Sequence, residues 1–220
     1  MKNRLFPLIL VLIIILSTGS GCALFQIKEE RYAQELASDG MESYQEGKYK
    51  NAIESFEKLK DWYPFSKYAI LAELKIADSH YKLKEYEEAV SAYEQFENLH
   101  PLNDAIPHII FQIGLCYFEQ VDTPDRDQTT ARKALEAFNR LIKQFPNNTY
   151  AAKAREYTGI CYKSLGESEL EIGVFYYKSK HYKAALERFK SVIINYPDVG
   201  VHQKALQYIA LCETSLSKQK

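Results

Sequence analysis

The chain has 220 residues, 46% of them hydrophobic and 26% charged, which is enough apolar material for a substantial core. Its 28 basic residues nearly balance 29 acidic ones, giving a net charge of −1, and this excludes a generally basic nucleic-acid binder. Lys2 and Arg4 both fall in a leader segment, so its removal takes the net charge from −1 to −3.

That leader opens positive and continues as an unbroken apolar run, Leu8 to Leu16. The run is too short to span a bilayer stably, and the small residues Ser17 to Gly21 that follow suit a processing enzyme. Residues 1–21 are therefore predicted to be a secretory signal peptide. Cys22 then stands where a bacterial lipobox places its acylated cysteine, although Gly19 occupies the position usually held by an aliphatic residue. Acyl chains at roughly 0.8 kcal/mol per buried CH₂ would hold such a protein on a membrane durably. The alternative is an ordinary cleavable signal followed by a free thiol. Ala23 follows, with no aspartate to retain the protein at an inner membrane, so the expected site is the periplasmic face of the outer membrane. Residues 22–31 read as the lipidated N-terminus with a short tether, and 32–220 as the folded domain.

Four dipeptides punctuate that domain: Tyr63-Pro64, His100-Pro101, Phe145-Pro146 and Tyr196-Pro197. Eight residues before each proline stands an aromatic (Phe56, Tyr93, Phe138, Phe189), and twelve before it an alanine (Ala52, Ala89, Ala134, Ala185). A tyrosine stands fifteen before it in three repeats (Tyr49, Tyr86, Tyr182), with Ala131 in the other. Apolar residues at helical spacing predict helices over Tyr49–Leu59, Tyr86–Leu99, Thr129–Phe145 and Tyr182–Tyr196, each stopped by its proline. The alanine permits a close helix approach and the aromatic fills the space between. Each is preceded by a helix with a small residue at its middle (Gly40, Ala77, Gly114, Gly173), and Ser66 and Asn148 are expected N-caps for the helices after the first and third prolines.

Three departures from the repeat stand out. Residues Val121 to Gln128 are an acidic insert, in which Asp127 is placed to cap the helix starting near Thr129. Asn148 to Leu165 is an extra helix that can continue through Gly166, a weak point, to Lys178. Val201 to Leu216 is a last helix closing the stack. Cys116, Cys161 and Cys212 share one register, and Ser79 holds the matching place in another repeat, so they are expected to be small buried hydrophobes, not a disulfide framework.

Four helix pairs in order resemble the tetratricopeptide repeat, although the usual tryptophan near the start of each unit is missing. The predicted fold is an all-α tetratricopeptide-repeat superhelix of about nine to ten helices, in four to five repeats with the last truncated. The lipobox-like start, Trp62 to Tyr68, the Asp122–Asp127 insert with Ala131-Arg132, and Phe175-Tyr176-Tyr177 leading to Tyr196-Pro197-Asp198 resemble the BamD family. These are the lipoproteins of the outer-membrane β-barrel assembly machinery. Family members carry a further helix that closes a fifth repeat, beyond the point where this chain stops.

The resemblance implies a non-catalytic scaffold whose C-terminal repeats dock on the periplasmic domain of a BamA-like barrel protein, alongside other lipoproteins of the complex. Arg188 falls at a family position that pairs with a carboxylate of that partner. The N-terminal repeats are implied to receive C-terminal segments of unfolded outer-membrane proteins. Tyr44, Tyr81, Phe118 and Tyr177 each follow the small mid-helix residue by four, forming an aromatic stripe that reads either as a peptide groove or as inter-helix core. Tyr44 and Tyr81 are the groove candidates, with Phe65 and Tyr68 expected as a wall of the same pocket. The five histidines show no metal spacing, and no phosphate loop, nucleophile elbow or dinucleotide fingerprint appears, so no catalytic residue, metal or cofactor is predicted. The alternative functions are a periplasmic coordinator of cell-wall synthesis or envelope constriction, and an accessory of peptidoglycan hydrolases.

Overall fold

The computed structural model describes residues 28–219, and the regular structure among them is α-helical throughout. Helix α1 covers 28–45. It is followed by α2 (Tyr49–Trp62), α3 (Ala69–Lys82), α4 (Tyr86–Leu99), α5 (Ile106–Phe118) and α6 (Thr129–Gln144). Then come α7 (Thr149–Lys178), α8 (Tyr182–Asn195) and α9 (His202–Ser217). The chain divides into two compact units, the first running to Ala92 and the second from Tyr93. The leader and Cys22 lie outside the described residues.

Helices α2, α4, α6 and α8 each end two residues before their proline. A proline lacks the N–H that would continue the ladder and forces its predecessor out of helical geometry. The residue in between still donates back to the helix, Tyr63 N to Leu59 O and Phe145 N to Leu141 O at 2.9 Å, so the last turn closes before the ring. On the inner face of these helices Ala52, Phe56, Ala134, Phe138, Ala185 and Phe189 are all fully buried.

The mid-helix glycines are explained by those aromatic rings. A Cβ at Gly40 would lie 2.6 Å from Cε1 of Phe56, and one at Gly173 would lie 2.6 Å from Cε1 of Phe189. At Gly114 the ring of Phe138 sits closer still. Each phenyl ring thus rests in the space a methyl group would occupy. A mid-helix glycine costs about 0.5–1 kcal/mol relative to alanine. Burial of the opposing ring, about 1.5–3 kcal/mol, more than offsets that cost.

The turn inside three of the pairs uses one conformation with different residues. Two positions before Tyr49, Tyr86 and Tyr182 stand Gly47 (φ 76°), Lys84 (φ 62°) and Lys180 (φ 62°). Here the backbone is left-handed, and the next N–H bonds back to the helix: Lys48 N to Ser43 O, Glu85 N to His80 O, His181 N to Tyr176 O. A non-glycine residue is strained at such a φ, so Lys84→Gly and Lys180→Gly are each expected to raise stability by about 0.5–1 kcal/mol. Chemical denaturation of the variants measures this.

Helix α7 is one continuous helix of 30 residues, and Gly166 does not break it. Gly166 is buried at a close approach, where a Cβ would stand 3.2 Å from Cγ2 of Val201 and 3.8 Å from the Tyr196 ring. The first half of α7 packs on α6, with Tyr157 stacked on Phe138 at 5.3 Å, and the second half packs on α8 and α9. Asn148 caps it as predicted, its Oδ1 accepting from Tyr150 N at 2.9 Å. Ser66 does not cap α3, which starts at Ala69 after Tyr68. Its hydroxyl instead accepts from Tyr68 N at 3.2 Å and donates to Glu30 of α1 at 3.1 Å, because the turn after Pro64 leaves it two residues short of the cap position.

The insert is a structural loop. Asp127 Oδ1 accepts from both Thr129 N and Thr129 Oγ1 at the start of α6. Gln128, buried beneath the loop, donates to the carbonyls of Thr123 and Arg126 and accepts from Ser164 of α7 at 2.8 Å. Cys116, Cys161 and Cys212 are free and buried. Burial pushes the thiol of Cys116 up to about 12 and that of Cys161 up to about 11, so neither is a nucleophile near neutral pH.

Candidate interaction surfaces

In the second unit, α7 and α8 bring Arg188 against Glu169, nineteen residues away in sequence. Arg188 Nη1 donates to both carboxylate oxygens, at 3.2 and 3.1 Å. The two ends of the pair differ: the Glu169 side chain is 16% exposed and that of Arg188 43%. Glu169 therefore holds the guanidinium in place while much of it faces solvent. Burial of Tyr196, followed by the charge of Glu169, raises the pKa of its phenol, and Arg132 and Arg188 oppose the shift. A fixed, half-exposed guanidinium is suited to bidentate recognition of a second carboxylate. Arg188 was legible in the sequence only through family resemblance, and nothing local to α8 indicated Glu169.

The aromatic stripe has a structural basis in each pair. Tyr44 meets Tyr49 edge-on at 5.4 Å, Tyr81 meets Tyr86 at 6.0 Å, and Tyr177 meets Tyr182 at 5.5 Å. Each contact crosses the left-handed turn and clamps one helix of the pair to the other. In the third repeat, where Ala131 replaces the tyrosine, Phe118 packs on Tyr157 and Phe138 instead. All four stripe residues are half-buried, so each ring does packing work and also presents an edge.

Within the first unit the surroundings of Tyr44 are charged. Lys75 lies 4.7 Å above its ring and pairs with the buried Asp78 at 2.7 Å. Burial, and then the charge of Asp78, pushes the Tyr44 phenol up to about 12. Tyr81 follows Asp78 by one helical turn on α3, so both tyrosines belong to one end of this unit. Lys75 and Asp78 are neighbours of the candidate Tyr44 that the sequence reading missed. Their i, i+3 spacing was a signal, but only the packing of α1 on α3 shows that they serve Tyr44.

Phe65 does not join that groove. Ser66 bonds to Glu30 in the first turn of α1, whereas Tyr44 lies fourteen residues further along the same helix, about 21 Å at the helical rise. Tyr68 packs against the buried core of the first unit. Phe65 is 100% exposed beside a cleft of about 1110 Å³ lined by Glu30, Gln34, Trp62, Tyr63 and Pro64. Phe65 and Tyr44 thus lie at opposite ends of α1, and of the two expected wall residues only Tyr68 shares a core with Tyr44. A turn after a helix-ending proline necessarily lies at the far end of the pair from the turn that joins its two helices.

Among the described residues no group of three His, Cys, Asp or Glu is arranged to hold a metal ion, and no helix is long and apolar enough to cross a membrane. Proline-closed helix pairs with small-residue crossings define this chain as a tetratricopeptide-repeat protein. The solved tetratricopeptide-repeat domain of P58(IPK) has the same fold, with a TM-score of 0.54 at 15% identity over 88% of this chain and 49% of that one. The chain belongs to the YfiO family of outer membrane lipoproteins, whose family model matches residues 29–220. It is similar to the outer membrane protein assembly factor BamD of Rickettsia prowazekii, at 31% identity over 88% of this chain and 78% of the relative. It is similar also to the BamD proteins of Caulobacter vibrioides (30% identity, 82% of this chain) and Neisseria gonorrhoeae (28%, 88% of this chain). The chain spans 61% of the length of the Caulobacter relative and 76% of the Neisseria one.

Proposed function

We propose that this chain is a non-catalytic scaffold of outer-membrane protein assembly, anchored by acylated Cys22 at the periplasmic face of the outer membrane. The match of the family to essentially all the described residues carries this reading. The C-terminal repeats dock on the periplasmic domain of a BamA-like barrel protein, with Arg188 presented to a carboxylate of that partner and other lipoproteins of the complex alongside. The N-terminal repeats receive C-terminal segments of unfolded outer-membrane proteins, whose aromatic side chains fit the edges of Tyr44 and Tyr81.

Co-purification from detergent-solubilised outer membranes tests the scaffold. Recovery of a large β-barrel protein with periplasmic domains is the expected result, and recovery of cell-wall synthases without it would sink the reading. The groove has its own test. Tyr81→Ala is expected to weaken capture of a barrel C-terminal peptide by about threefold to tenfold, the worth of one aromatic contact, without unfolding the first unit. Unchanged peptide affinity in a less stable protein would make Tyr81 a packing residue only.

A further inference from the structure

The α2–α3 turn carries more exposed apolar surface than its place in the fold requires. Phe65 is 100% exposed and Trp62 63% exposed, with Tyr63 half-buried between them. Turn geometry does not call for a ring here, because the residue after the proline is Leu102, Asn147 or Asp198 in the other three repeats. The turn is fastened to the first helical turn of α1 by Ser66, which donates to Glu30 at 3.1 Å, and by Lys67, whose Nζ lies 3.7 Å from the same carboxylate. The aromatic tip and the start of α1 therefore lie side by side. From Cys22 to residue 28 the chain advances six residues, which reach at most about 20 Å.

We propose that the Trp62–Phe65 tip inserts into the interface of the bilayer that holds Cys22, giving the N-terminal unit a second point of membrane attachment. This rests on the lipid-anchored reading above. A tether that short keeps the tip close to the lipid surface continuously, so a weak contact becomes effective through local concentration. Tryptophan and tyrosine favour the headgroup level, where an apolar ring body and a polar edge are both satisfied, and phenylalanine favours the acyl boundary just beneath. Segments 28–31 and 60–67 carry four cations and three acids, which nearly cancel. Ring burial, not charge, drives the insertion.

Trp62 is the only tryptophan in the chain, so its emission reports on the tip without an added probe. The acylated full chain is floated with phosphatidylcholine vesicles whose acyl chains carry bromine close to the headgroups. Blue-shifted Trp62 emission quenched by those bromines is the expected result, little changed by added salt. Phe65→Ser is expected to lower the inserted-to-withdrawn ratio by about tenfold, the loss of one buried ring, with helix content unaltered. Protein that floats while Trp62 stays unquenched overturns the inference and leaves the anchor standing. Protein that does not float overturns the anchor and the tip together. A Phe65→Ser variant that loses capture of an aromatic barrel peptide but keeps its quenching would assign the tip to peptide instead, and overturn the inference as well.

Discussion

Truncating Phe138 to alanine is expected to destabilise the second unit by about 3–5 kcal/mol, the usual cost of deleting a fully buried phenyl ring. Phe138 has no exposed surface, and its ring meets Phe111, Phe118 and Tyr157 besides lying over Gly114. The partner substitution distinguishes a specific contact from general burial. Gly114→Ala gains up to about 1 kcal/mol of helix propensity, yet it drives a methyl group into the ring, and overpacking of that kind costs about 1–3 kcal/mol. A net loss is expected in the wild-type background. In the Phe138→Ala background the methyl has room, and the same change should be neutral or stabilising. Urea unfolding of the four proteins gives the coupling, expected to be about 1–3 kcal/mol. Equal effects of Gly114→Ala in both backgrounds would show that the glycine serves something other than the ring.

Reversing the charge of Arg188 is the second large effect. If the guanidinium meets a carboxylate of the barrel partner, Arg188→Glu is expected to weaken that binding by about a hundredfold or more, in the range found when a close interfacial charge pair is broken. The structure adds a complication and its remedy. Glu169 lies 3.1 Å from Arg188, so the variant also sets two carboxylates together and strains the α7–α8 packing. The swapped pair, Arg188→Glu with Glu169→Arg, restores the internal attraction while leaving a negative charge at position 188. Recovered thermal stability without recovered partner affinity would assign Arg188 to the interface. Recovery of both would show that the pair only holds the fold.

Much of the fold was legible in the sequence because its determinants are local. The helix ends two residues before each proline, the alanine and aromatic on the buried face, the Asn148 cap and the Asp127 contact at the start of α6 all depend on residues a few positions apart. Ser66 looked equally suited to capping, yet the turn after Pro64 directs it to Glu30, a residue 36 positions away. Gly166 looked like a break, yet α7 continues through it, with Val201 and Tyr196 packed closely against that point. Periodicity identifies which face of a helix is buried, but it does not identify what is buried against it.

The same division separates the site residues. Spacing alone determined that this chain is a stack of proline-closed helix pairs carrying an aromatic stripe, since a helical period and its terminators are written in adjacent residues. Only the tertiary structure decided that Arg188 is held by Glu169, that Lys75 and Asp78 attend Tyr44, and that Phe65 belongs to the opposite end of α1. Those relations join residues on different helices, and packing between the helices sets which side chains meet.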